Sequence, residues 1–108
     1  MSVPEIILSQ LGGNKFIVMT GSKDFIGFDR TLKMSLAKNI SKANRLSITL
    51  DGDDTYSMRF YRITHGHVNR RTGAWIDEKI VDIQRYSGVY CDQLQEAFTR
   101  VTGLYTHL

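Results

Sequence analysis

Lys33, Arg45, Arg59, Arg62, Arg70 and Arg71 are the cations whose placement suggests shared work, with Tyr61 and Trp75 as the aromatic rings near them. Lys and Arg neutralise phosphates, Ser and Thr donate to phosphate oxygens, and an exposed ring stacks on a splayed base. The chemistry this set implies is the holding of nucleic acid, with single-stranded DNA first among the candidates. Residues 30–76 carry nine Lys/Arg against three acidic residues, all three in Asp51-Gly52-Asp53-Asp54. The flanks are acidic, at −1 for residues 1–29 and −2 for 77–108, so the block supplies more than the whole net charge of +3. The ordinary alternative is a solvated outer face, since outward strand positions are normally polar. A merely solvated surface would intersperse both signs, whereas Arg30 to Leu50 and Thr55 to Ile76 contain no acid.

Other chemistries find less support. His65-x-His67 could present two imidazoles to one side of a strand, but only Cys91 and His107 remain as remote ligands, short of a zinc set. Asp51-Gly52-Asp53-Asp54 resembles part of a calcium loop, yet its twelfth position is Arg62 rather than Glu. Thr20-Gly21-Ser22-Lys23 lacks the spacing of a phosphate-binding loop. Cys91 falls on the apolar stripe of a predicted helix, where a buried, inert thiol is expected. Asp77, Glu78 and Asp82 read as a solvated strand edge. No enzyme, metal or cofactor is expected.

The elements that must position these residues follow from periodicity. Ser2-Val3-Pro4-Glu5 is a helix start, and Gly12-Gly13 stops the short helix or arm. Lys15 to Thr20 is apolar on both alternations and predicts a doubly covered strand. Leu32, Met34 and Leu36 alternate with Thr31, Lys33 and Ser35; Leu46, Ile48 and Leu50 with Arg45, Ser47 and Thr49; Tyr56, Met58 and Phe60 with Ser57, Arg59 and Tyr61. Each first set belongs to a core, which leaves Lys33, Ser35, Arg45, Ser47, Thr49, Arg59 and Tyr61 on an open face.

Register across the acidic turn follows from those faces. Counting Thr55 into the turn pairs Leu50 with Tyr56, Ile48 with Met58, Leu46 with Phe60, and Arg45 with Tyr61. A slip of two residues keeps the faces but sets Arg45 against Arg59, which is unfavourable unless an anion lies between them. His65 to Ala74 predicts a mobile basic hairpin tip or loop. Trp75 to Tyr86 is extended, with Val81 and Ile83 inward. Tyr90 to Thr102 predicts an amphipathic helix through Cys91, Leu94, Phe98 and Val101.

These elements compose one α+β domain over 1–108: a curved antiparallel sheet of four to five strands, a C-terminal helix on one face, and a short N-terminal helix or arm. Apolar content of 42% and charge of 23% suit a globular chain. The single cysteine suggests a reducing, cytoplasmic setting, and neither a bilayer span nor a signal peptide is expected.

Leu11-Gly12-Gly13-Asn14-Lys15-Phe16, Met19-Thr20-Gly21, Asp92-Gln93-Leu94, Phe98 and Thr102-Gly103-Leu104 carry a resemblance to a family of short, uncharacterised bacteriophage and prophage proteins. It extends over nearly the whole chain and implies a phage or mobile-element origin, without assigning roles to residues. At the level of architecture, strands followed by an amphipathic helix are similar to the Whirly-like and transcription-coactivator group of single-stranded-DNA-binding proteins. That resemblance implies a homodimer threading a strand over the sheet, with Lys33, Arg45, Arg59 and Tyr61 matching such a surface in type. The rival reading is a protein-binding inhibitor of a host machine, such as a defence complex, docking through the same cationic sheet.

Overall fold

The computed structural model describes residues 2–104; His107, considered above as a ligand, lies outside them. Helix α1 (Val3–Leu11) starts where its capping residues place it. The Glu5 amide donates to Ser2 Oγ at 3.4 Å, and the Ser2 hydroxyl donates to Glu5 Oε1 at 3.1 Å. Gly12, at φ 125°, ends the helix in a conformation that side chains resist.

Residues 14–20 overturn an expectation. The predicted strand over Lys15–Thr20 is a helix, α2 (Asn14–Thr20), bracketed by Gly13 and a left-handed Gly21. A run of six or seven residues is too short for apolar pattern to separate the two periods. The helix puts Phe16 and Thr20, four apart, on its buried side and leaves Val18 exposed. Phe16 meets Phe98 edge-on at 4.9 Å between ring centroids, and the Thr20 hydroxyl donates to the Phe16 carbonyl at 2.7 Å.

The strands are β1 (Lys23–Phe28), β2 (Thr31–Ser35), β3 (Arg45–Leu50), β4 (Tyr56–Thr64), β5 (His67–Val68), β6 (Trp75–Ile76) and β7 (Lys79–Val89). Five of them form an open antiparallel sheet in the order β1-β2-β3-β4-β7. The β3–β4 register is the one argued from the faces: Leu50–Tyr56, Ile48–Met58, Leu46–Phe60, Ser47–Arg59 and Arg45–Tyr61. Thr55 belongs to the turn, where its hydroxyl donates to Asp53 Oδ1 at 2.6 Å and holds that carboxyl below the usual carboxylate range.

A short 3-10 turn (Cys91–Gln93) leads into α3 (Leu94–Thr102). The apolar stripe therefore begins at Leu94, and Cys91, expected to be buried, is exposed. Ile7, Leu11, Phe16, Leu94 and Phe98 from the helices pack on Leu32, Met34, Leu46, Ile48, Met58 and Phe60 from the sheet in a single core. None of the helices among the described residues is long and apolar enough to cross a membrane.

Tyr56 ties this core to α1: its hydroxyl donates to Gln10 Oε1 at 2.6 Å. Burial raises the phenol above its ordinary value, against the lowering effect of that hydrogen bond. The folded state thus favours the neutral phenol. Its contribution is complete below the unfolded pKa of about 10 and is lost as pH rises through the higher folded value. Tyr56→Phe is expected to cost about 1 kcal/mol at neutral pH and to flatten the fall in stability at alkaline pH. Urea unfolding of both proteins across pH 7 to about 11 measures it.

Strands β4 and β7 run on past the body as a ribbon, paired to Thr64–Lys79, and β5 and β6 continue it through His67–Ile76 and Val68–Trp75. Of the two forms expected for His65–Ala74, hairpin tip or loop, the structure has the hairpin. Its tip is closed by the Asn69 amide donating to the Ala74 carbonyl and the Gly73 amide donating to that of Asn69, each at 2.8 Å. Trp75 lies over Gly66, where a Cβ would come within 2.6 Å of the indole. The arm accounts for the elongation of the molecule, 49 × 32 × 22 Å with a radius of gyration of 15.2 Å, against about 13 Å for a compact domain of this length.

Candidate nucleic-acid interface

The sheet face turned away from the helices is ordered in rows by the strand register. One row runs Ile26–Lys33–Ser47–Arg59–Arg85 across all five strands. The next runs Lys23–Ser35–Arg45–Tyr61–Asp82, and a third runs Phe28–Thr31–Thr49–Ser57. Strands lie about 4.8 Å apart, so Lys33 and Arg85 bracket roughly 14 Å of surface.

Within these rows the side chains are held in place. The Lys33 ammonium sits 5.2 Å from the centroid of the Phe28 ring. Arg59 donates from Nε to Asp82 Oδ1 at 2.7 Å while its guanidinium lies 4.4 Å from the Tyr61 ring centroid. Arg85 stands directly opposite Arg59, with Nη1 at 3.6 Å from Asp82 Oδ2 and 70% of its side chain exposed. Two facing guanidiniums thus share one carboxylate, leaving one positive charge uncompensated between them. Beside them a shallow cleft of about 380 Å³ is lined by Ser47, Thr49, Ser57 and Ser87 together with both arginines. Ser57 already donates to Asp51 Oδ2 at 2.6 Å and Thr49 is hydrogen-bonded to Thr31 at 2.9 Å, so the donors left to face an oxyanion are Ser47, Ser87 and the guanidiniums.

The structure sorts the eight predicted site residues into three groups. Lys33, Arg45, Arg59 and Tyr61 share the open face. Arg62, paired with Val81, alternates to the other side, and its Nη1 donates to the Lys42 carbonyl at 2.9 Å. Arg70 and Arg71 are at the tip of the arm and Trp75 on its last short strand, all exposed. Tyr61 corrects an expectation: it is 7% exposed, and Arg59 occupies the ring surface proposed for stacking. Phe28, 51% exposed and on the same face, is the more open ring, with the Lys33 ammonium over one of its sides.

Arg85 and Asp82 complete the site, and alternation alone does not assign them to it. With Val81 and Ile83 inward, as expected, Arg85 would be inward as well. The ladder instead shifts between Phe60–Gln84 and Tyr61–Asp82, so Ile83 is an extra residue and Arg85 moves to the open face. Val81 and Ile83 are exposed, because this strand is an edge and runs out onto the arm. Beyond a β-branched run interrupted by charge, nothing in the sequence signals such a bulge.

Among the described residues no three His, Cys, Asp or Glu side chains gather as a metal site. His65 and His67 are exposed on the arm, with His67 Nδ1 3.3 Å from the His65 carbonyl oxygen. The fold and face define an α+β domain presenting a cationic, hydroxyl-rich antiparallel sheet. Comparison with protein-family models, curated proteins and solved structures finds no match.

Proposed function

We propose that this chain is a non-enzymatic, phage-type protein of the cytoplasm, acting as a homodimer that holds single-stranded DNA across its open sheet face. The row Lys33–Ser47–Arg59–Arg85 carries the reading, because it aligns three cations and a hydroxyl across neighbouring strands. Phosphates would follow this row, with one seated in the cleft between Arg59 and Arg85. Phe28 offers a ring for base stacking, and Arg70, Arg71 and Trp75 on the arm give the strand a second contact. An open sheet suits a flexible strand better than a duplex, whose base edges lie within grooves.

Anisotropy of a fluorescent oligothymidine during a salt titration tests the proposal. Binding is expected at about 50 mM salt, with log K falling against log salt at a slope of roughly −2 to −3 for three or four neutralised phosphates. Absence of binding at that salt, or binding indifferent to salt, counts against it. The rival in which the cationic face docks on an acidic host protein would then take precedence.

A further inference from the structure

Strand β7 is an edge of the sheet over all eleven of its residues, and its outer backbone groups face away from β4. Ile80 and Val81 are each 55% exposed and Ile83 is also exposed, so apolar residues alternate with Lys79, Asp82, Gln84 and Arg85 along a long edge. Such an edge is a template for pairing with another strand. We propose that it pairs with β7 of a second copy of this chain, antiparallel, about the midpoint of Ile83 and Gln84. This deepens the two-copy reading above by naming the interface, and it does not depend on whether DNA binds.

The order of residues along the edge selects this occupant. A two-fold axis perpendicular to a continuous sheet leaves every residue on its own face, so residues paired across the axis must share a face. In a regular strand, positions three apart lie on opposite faces. The extra residue at Ile83 removes that obstacle. Asp82, opposite Tyr61, and Arg85, opposite Arg59, both belong to the open face; Val81, opposite Arg62, and Tyr86, opposite Met58, both belong to the helix side.

Pairing about Ile83 and Gln84 therefore sets Asp82 against Arg85 of the second copy, twice, and Val81 against Tyr86, twice. Arg85, largely exposed, gains a second carboxylate opposite it, one that also bonds Arg59 of its own chain at 2.7 Å. The regular registers nearby lack this complementarity: centring on Asp82 opposes two carboxylates, and centring on Ile83 sets Val81 against Arg85. A second register shift, between Tyr86 and Val89, bounds this regular pairing to the middle of β7. The two open faces then form one continuous surface.

Sedimentation velocity on the full chain without nucleic acid tests the inference. Wild type should be dimeric at about 100 μM, where a dimer of micromolar affinity is associated. Arg85→Glu and Asp82→Lys should each sediment as monomers, while their equimolar mixture should recover the dimer, since each supplies the charge the other lacks. Val81→Lys, which alters no core side chain, should weaken association at least about tenfold. Circular dichroism establishes that each variant is folded. A monomeric wild type, a dimer unchanged by Val81→Lys, or folded single variants whose mixture stays monomeric would each overturn the proposal. Oligonucleotide binding by wild type and by Val81→Lys, measured separately, shows whether the DNA reading stands or falls on its own.

Discussion

Lys33→Glu combined with Arg45→Glu is expected to weaken single-stranded DNA binding at least about 100-fold in low salt and to leave the fold intact. Two charge-assisted hydrogen bonds worth about 1.5 kcal/mol each give that factor before the repulsion of the new carboxylates is counted. These two residues are better targets than Arg59, whose Nε is engaged by Asp82 at 2.7 Å. Replacing Arg59 by Glu would set two carboxylates together and confound binding with stability. Neither Lys33 nor Arg45 has a carboxylate partner among the described residues. Lys33 rests against Phe28, and Arg45 donates from Nη1 to the Asn44 carbonyl at 2.9 Å. Anisotropy titrations of both proteins, with thermal melts beside them, measure the effect. The slope of log K against log salt should move towards zero by about 1.4, because two phosphates are no longer neutralised. A double variant that binds like wild type would remove the open face from consideration.

Phe98→Ala is expected to destabilise the domain by about 3–5 kcal/mol, a large part of the roughly 5–15 kcal/mol available to a small domain. Phe98 is fully buried and is the hub at which the helices meet the sheet. Its ring lies 4.9 Å from that of Phe16 on α2 and 6.4 Å from that of Phe60 on β4. Truncation would open a cavity bordered by rigid aromatic rings that cannot collapse into it. A fall in Tm of about 15–30 °C should follow, at roughly 4–8 °C per kcal/mol for a domain of this size. Differential scanning calorimetry tests this. A shift below about 5 °C would mean that α3 contributes far less to the core than its burial implies.

The legible part of the fold is its β meander. In β2, β3 and β4 one face is apolar and the other polar, so a one-residue slip would expose every core side chain at once. That penalty is local enough to be read from residues 31–61, and it places Arg45 opposite Tyr61. Helix α1 is legible through Ser2 and Glu5, because capping is an interaction over three residues. The identity of α2 is not. Phe16-Ile17-Val18-Met19 is apolar throughout, and what selects helix is Phe98, eighty-two positions away, receiving Phe16 on one side only.

The same division runs through the candidate site. Which strands are cationic, and which side of β2 to β4 their charges occupy, needs only alternation. Three features require the folded chain. Tyr61 is covered by Arg59 because residues two apart on a strand project to the same side. Arg85 reaches the face through a bulge at Ile83, one residue whose insertion reverses the alternation of all that follows. The free edge of β7 exists because no other strand among the described residues returns to cover it. Short-range patterning decides which face a residue takes within a regular strand; long-range packing decides helix against strand, the bulge, and the edge left open.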